Sequence, residues 1–157
     1  AFYDPYIPIG FEKSLDLYRK HSLDELLKES DIISIHTPLT TETKGMVNSR
    51  FFKMMKTGSS LINTARGEIV VMDNLYHALK ENKIKSVGLD VLEKEPIDYE
   101  HPLIRAWCED EKWISGRLVI TPHTAFYNKQ SYEEMRKKAA EELKRILENK
   151  RPLNQVK

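Results

Sequence analysis

The stretch DIISIHT, residues 31–37, places isoleucine at three of four consecutive positions, Ile32, Ile33 and Ile35. β-Branched side chains fill a pleated surface, and a run with little polar alternation suits a strand of a parallel sheet covered on both faces. The preceding segment, SLDELLKES (22–30), opens on Ser22 with Glu25 three residues on. Its Leu23, Leu26 and Leu27 share one face, so the spacing predicts an amphipathic helix with a capping box.

The alternation continues along the chain. NSRFFKMMKTG (48–58) predicts a short helix with Gly58 past its end, and SSLINTA (59–65) a strand. MDNLYHALKENKI (72–84) is helical in pattern, with Asp73 as its expected N-cap, and SVGLDV (86–91) is a strand. RLVITPH (117–123) is the next strand, and SYEEMRKKAAEELKRILEN (131–149) a long charged helix with Ser131 as expected N-cap and Glu134 completing the box. AFYD (1–4) reads as the end of another strand, closed by Pro5. Residues 93–116, acidic and containing Trp107, Cys108 and Trp113, read as a long loop with a short helix. Short strands alternating with helices of about ten residues define an α/β fold with a doubly wound parallel sheet, Rossmann-like in character.

The formal net charge of the 157 residues is +1, with acidic and basic residues interspersed, so no nucleic-acid or anionic-membrane partner is implied. Cys108 is the only cysteine, which excludes an internal disulfide and a thiolate-rich metal site; a metal centre is not expected. A lone thiol makes the reducing cytoplasm the expected compartment. No apolar run approaches the roughly 20 residues that span a bilayer.

Ligands of doubly wound sheets sit beyond the carboxyl ends of the strands. The predicted strands here end in Asp4, in His36-Thr37-Pro38, in Asn63-Thr64-Ala65-Arg66-Gly67, in Asp90 and in Thr121-Pro122-His123. Small neighbours let the Arg66 guanidinium stand clear and meet a carboxylate with two parallel hydrogen bonds, although an ordinary turn arginine fits the same residues. Glu95 precedes Pro96 and His123 follows Pro122, each in a constrained stretch. A carboxylate on one imidazole nitrogen fixes the tautomer and leaves the other nitrogen to exchange a proton. Taken alone, His123 fits a structural role as well. His21, His36, His77 and His101 have no comparable setting. An acid in the place of Asp4 accepts both ribose hydroxyls in dinucleotide-binding folds, or is a turn residue before Pro5. No G-x-G-x-x-G occurs in the chain; its usual spacing of about 20 residues puts it before residue 1.

Three segments, HTPLTTETKGMVNSRFFKMMKTGSSLINTARGEIV, VGLDVLEKEP and ITPHTAFY, resemble in order the D-isomer-specific 2-hydroxyacid dehydrogenases. TPHTAFY is similar to the D-lactate branch, and a related P-H-x-A-W-Y occurs in the C-terminal-binding-protein corepressors. The resemblance implies a catalytic set of Arg66, Glu95 and His123. It implies NAD as cofactor, with Asp4 on the ribose, Asp90 on the nicotinamide carboxamide, and Thr37, Pro38 and the backbone around Thr64 as cofactor wall. Phe126 and Tyr127 would line the substrate pocket or anchor the last helix. Between Glu95 and His123 the chain is longer than many relatives, through the Trp107–Trp113 segment.

The implied function is hydride transfer between NAD(H) and a 2-oxo or D-2-hydroxy acid, by a homodimer. The alternative is an NAD(H)-sensing, corepressor-like binding protein of the same fold. Residues 1–125 are expected to form part of a dinucleotide-binding domain whose first strand lies upstream. Residues 126–157 are expected to form a helix crossing to a substrate domain, also encoded upstream. The expectation is therefore a carboxyl-terminal part of a longer protein, weakly active or inactive alone.

Overall fold

A computed structural model describes residues 1–155. They form two compact units, Ala1–Pro122 and a second beginning at His123. The first contains helices α1 (Phe11–Ser14), α2 (Leu23–Glu29), α3 (Ser49–Met54), α4 (Met72–Lys80) and α5 (Pro102–Cys108). Its strands are β1 (Ile32–Ile35), β2 (Ser59–Asn63), β3 (Ile84–Leu89) and β4 (Leu118–Ile120). All pairings are parallel, in the order β1-β2-β3-β4, the Rossmann-like α/β arrangement expected.

Local chemistry explains where the helices start. The Ser22 hydroxyl accepts from the Glu25 amide, and Glu25 reaches back to the His21 amide, one residue earlier than in a standard box. Asn48 accepts from the amides of Arg50 and Phe51. His101 caps α5 through the Leu103 amide, with Pro102 in the first turn, where its lacking N–H costs nothing.

Helices α2 to α5 contact one another in series along one face of the sheet. Ile33, Ile35, Leu61, Val87, Leu89 and Leu118 face them and are buried with Leu75, Leu79, Phe52, Leu103 and Ile104. Burying each such side chain contributes about 1.5–3 kcal/mol. The opposite face is open among the described residues. The register aligns Ser34, Ile62, Gly88 and Val119 in one row and Ile32, Ser60 and Ser86 in another. Ile32 is 63% and Val119 60% exposed. Among the described residues the isoleucines alternate between a packed face and an open one.

Three expectations are corrected. Residues 1–4 form no strand, only one parallel bridge between Phe2 and Arg19. Asp73 is not the cap of α4: the helix begins at Met72, whose amide donates to Glu93 from a distant loop. Ser131 is not the cap of the last helix, α6 (Lys129–Leu147); the Asn128 side chain takes the Ser131 amide at 2.9 Å. Asparagine satisfies the same orphan donors three residues earlier. Within the second unit, Tyr127 packs edge-on against Tyr132, and the Arg136 guanidinium lies 3.7 Å from the Tyr132 ring centre.

Candidate active site

The carboxyl end of β2 is organised by one side chain. Asn63 is fully buried. Its Oδ1 accepts the Ala65 amide at 3.0 Å and its Nδ2 donates to the Arg66 carbonyl at 2.9 Å. An asparagine bonding the backbone two and three residues on closes a tight turn. That turn presents Arg66 in extended backbone, with Nη1 donating to the Ala65 carbonyl at 2.6 Å. Among the described residues Arg66 has no carboxylate partner. The chain then enters a 3-10 turn, Gly67–Ile69, tied to the segment around Val47 by the Val47–Val70 bridge.

The next strand end is linked to this one. The Asp90 amide donates to the Asn63 carbonyl at 3.0 Å, and the Thr121 hydroxyl donates to Asp90 Oδ1 at 2.5 Å. Asp90 is 5% exposed, and the Thr121 hydroxyl is bonded to its carboxylate. Beyond it, residues 91–98 fold back on themselves. Glu95 Oε1 accepts the Leu92 amide at 2.9 Å, Glu93 Oε2 accepts the Met72 amide at 3.0 Å, and Lys94 pairs with Asp98 at 2.8 Å. The Glu95–Pro96 peptide bond is cis.

Asp4 accepts the Tyr6 amide at 2.8 Å, closing the turn before Pro5, and its carbonyl takes Arg19 Nη2 at 2.8 Å. Past β1, the Thr43 hydroxyl donates to the Pro38 carbonyl at 2.6 Å, and Thr40 and Thr43 bond each other, fixing the loop. Thr37 Oγ1 is buried with no hydrogen-bond partner among the described residues. Thr64 is exposed at the tip of the β2 turn.

Arg66, Glu95, Asp90, Asp4, Thr37, Pro38 and Thr64 all belong to the first unit; His123, Phe126 and Tyr127 belong to the second. His123 has a left-handed backbone, φ 54°, in a region that costs a non-glycine residue about 1–3 kcal/mol and recurs at functional sites. Phe126 and Tyr127 are exposed and stack edge-on, ring centres 6.2 Å apart. Sequence reasoning overlooked Asn63, Gly67, Glu93 and Thr121 as organisers of the site. The spacing N-x-x-R at a strand end signals the first of these; nothing local signals the others.

The family profile described as D-isomer specific 2-hydroxyacid dehydrogenase, NAD binding domain, matches residues 1–125. The chain belongs to that family. It is 39% identical over 135 residues to a glyoxylate reductase of Aeropyrum pernix, covering 86% of this chain and 38% of the relative. A glyoxylate reductase of Korarchaeum cryptofilum is 37% identical over 142 residues, covering 90% and 40%. The NAD-complexed D-isomer specific 2-hydroxyacid dehydrogenase of Lactobacillus delbrueckii ssp. bulgaricus superposes with a TM-score of 0.80 at 35% identity, covering 99% of this chain and 48% of that one. The chain thus spans about two fifths of the length of the curated relatives it matches.

NAD is the cofactor of this domain family. The residues present fit part of it: a buried hydroxyl at Thr37 with no hydrogen-bond partner among the described residues, and a buried carboxylate at Asp90, lie at strand carboxyl ends. The chain contains no glycine-rich phosphate cradle.

Proposed function

We propose that this chain supplies the cofactor-facing and catalytic part of an NAD-dependent D-2-hydroxyacid dehydrogenase. The observation that carries the proposal is Arg66: a guanidinium without an acidic partner among the described residues, on a turn fixed by a buried asparagine. Such a group offers its fork to a carboxylate from outside. Arg66 binds the carboxylate and the 2-oxo group of a 2-oxo acid. NADH, when bound, would supply hydride to C2. His123 donates its proton to the oxygen that becomes the hydroxyl, and in the reverse direction takes that proton back. Glu95 holds the other ring nitrogen and so fixes the tautomer. Asp90 holds the nicotinamide carboxamide, Thr37, Pro38 and the backbone at Thr64 form the wall beside it, and Asp4 accepts the adenosine ribose hydroxyls. Phe126 and Tyr127 line the side-chain end of the substrate.

The same proposal makes residues 1–125 part of a dinucleotide-binding domain and residues 126–157 a helical crossing to a substrate domain. It makes the native protein a cytoplasmic homodimer. No helix among the described residues is long and apolar enough to cross a membrane. The test is NADH oxidation by the native protein against a panel of 2-oxo acids including glyoxylate and pyruvate, with chiral analysis of the product. Turnover giving the D-hydroxy acid (or glycolate from glyoxylate) is expected. NADH binding without turnover of any acid would overturn the proposal and leave the NAD(H)-sensing corepressor.

A further inference from the structure

We infer that Gly67 is a positioning residue that sets the distance between the Arg66 turn and the Glu95 loop. The inference rests on the site proposed above. A Cβ built on Gly67 would lie 1.8 Å from the Leu92 carbonyl oxygen, 2.0 Å from the Leu92 carbonyl carbon and 2.6 Å from the Glu93 nitrogen. All three are backbone atoms, so no side-chain rotation relieves the clash. The backbone at Gly67 lies outside the left-handed region, so glycine is required here for space and not for its torsion angles.

Both sides of the contact are tied down by hydrogen bonds. The turn is stitched by Val70 N to Gly67 O at 2.9 Å, Val47 N to Ile69 O at 2.9 Å and Val71 N to Val47 O at 3.1 Å. The loop is held at its start by the Asp90 amide on Asn63, in its middle by Glu93 on Met72, and at its end by the Leu92 amide on Glu95. Leu92 is therefore both the backbone that meets Gly67 and the donor that orients the Glu95 carboxylate. A methyl group at position 67 displaces that donor by about an ångström, and a misplacement of that order costs roughly 10²-fold in rate where geometry governs catalysis.

The experiment is a double-variant cycle on the native protein with Gly67→Ala and Glu95→Gln, read as kcat and as KM for NADH and for the 2-oxo acid. Gly67→Ala is expected to lower kcat by about 10²-fold with KM for NADH within about twofold, the signature of lost transition-state geometry and not of a damaged cofactor site. Combined with Glu95→Gln it is expected to add less than about threefold, because both act through one carboxylate. Wild-type kcat in Gly67→Ala, or losses that multiply, would overturn the inference. If Gly67→Ala does not fold, Glu93→Ala takes its place: it frees the loop from α4 and is expected to show the same non-additivity with Glu95→Gln, while full multiplication would overturn the inference. Undiminished activity of Arg66→Ala and Glu95→Gln would instead overturn the site proposal itself.

Discussion

Asn63 holds Arg66 from inside the sheet: its Nδ2 donates to the Arg66 carbonyl at 2.9 Å while its Oδ1 takes the Ala65 amide at 3.0 Å. Asn63→Ala leaves both backbone groups without this partner in a partly buried position. The expected cost is about 1–3 kcal/mol of stability, read by urea unfolding at unchanged slope. A larger fall in kcat/KM for the 2-oxo acid than in NADH affinity is expected to accompany it. Unfolding at the wild-type midpoint would show that Asn63 does not hold the turn.

The Arg66 side chain is exposed and, among the described residues, donates only to its neighbour's carbonyl, so its replacement is expected to leave stability nearly unaltered. Arg66→Lys keeps the charge and loses the planar fork. KM for the 2-oxo acid is expected to rise about tenfold or more, with a further loss in Arg66→Ala. Equal kinetics for lysine and arginine would show that two-point recognition is not used.

Arg117 is a structural counterpart. Its guanidinium donates to the carbonyls of Lys85, Trp113, Leu79 and Ile84 at 2.7–3.0 Å, tying the entry of β4 to β3 and α4. Arg117→Met removes a donor from each of these carbonyls, of which Leu79 keeps the Asn82 amide, and a loss of about 1–3 kcal/mol in unfolding free energy is expected. A midpoint unchanged from wild type would contradict it.

The fold was legible where periodicity carried it. The strands at Ile32, Ser59 and Leu118 and the helices at Leu23 and Ser49 follow directly from apolar spacing and local caps. The error at the start of α4 and the oversight of Gly67 share one cause, partners distant in sequence, whereas the α6 cap moved only three residues, from Ser131 to Asn128. Met72 is capped by Glu93, 21 residues away, so Asp73 looked like the cap. Gly67 looks like any turn glycine until Leu92 is brought against it. The open sheet face was hidden because Ile32 and Val119, although exposed among the described residues, are as apolar as the buried strand residues. The polar strand ends were visible, while the network from Thr121 through Asp90 and Asn63 to Arg66 was not, since it requires the parallel register.

Acid is expected to weaken the loop that carries Glu95. The Asp98 carboxyl is held below its usual range, first by the Lys94 ammonium and then by the Glu100 amide. A depressed carboxyl contributes stability that is full above the unfolded value and is lost as pH falls through the folded one. Protection of the Glu100 amide from hydrogen exchange is expected to hold near neutrality and fall on acidification below the ordinary carboxylate range. Asp98→Asn is expected to abolish that pH dependence; its persistence would assign the effect elsewhere.

In the reaction we propose, His123 carries the proton that accompanies hydride transfer. The most direct test compares the native protein with His123→Gln for NADH binding by fluorescence and for single-turnover reduction of the best 2-oxo acid. NADH affinity within about twofold, with a loss of about 10²–10⁴-fold in the reduction rate, is the predicted result. Reduction at the wild-type rate by His123→Gln would contradict it.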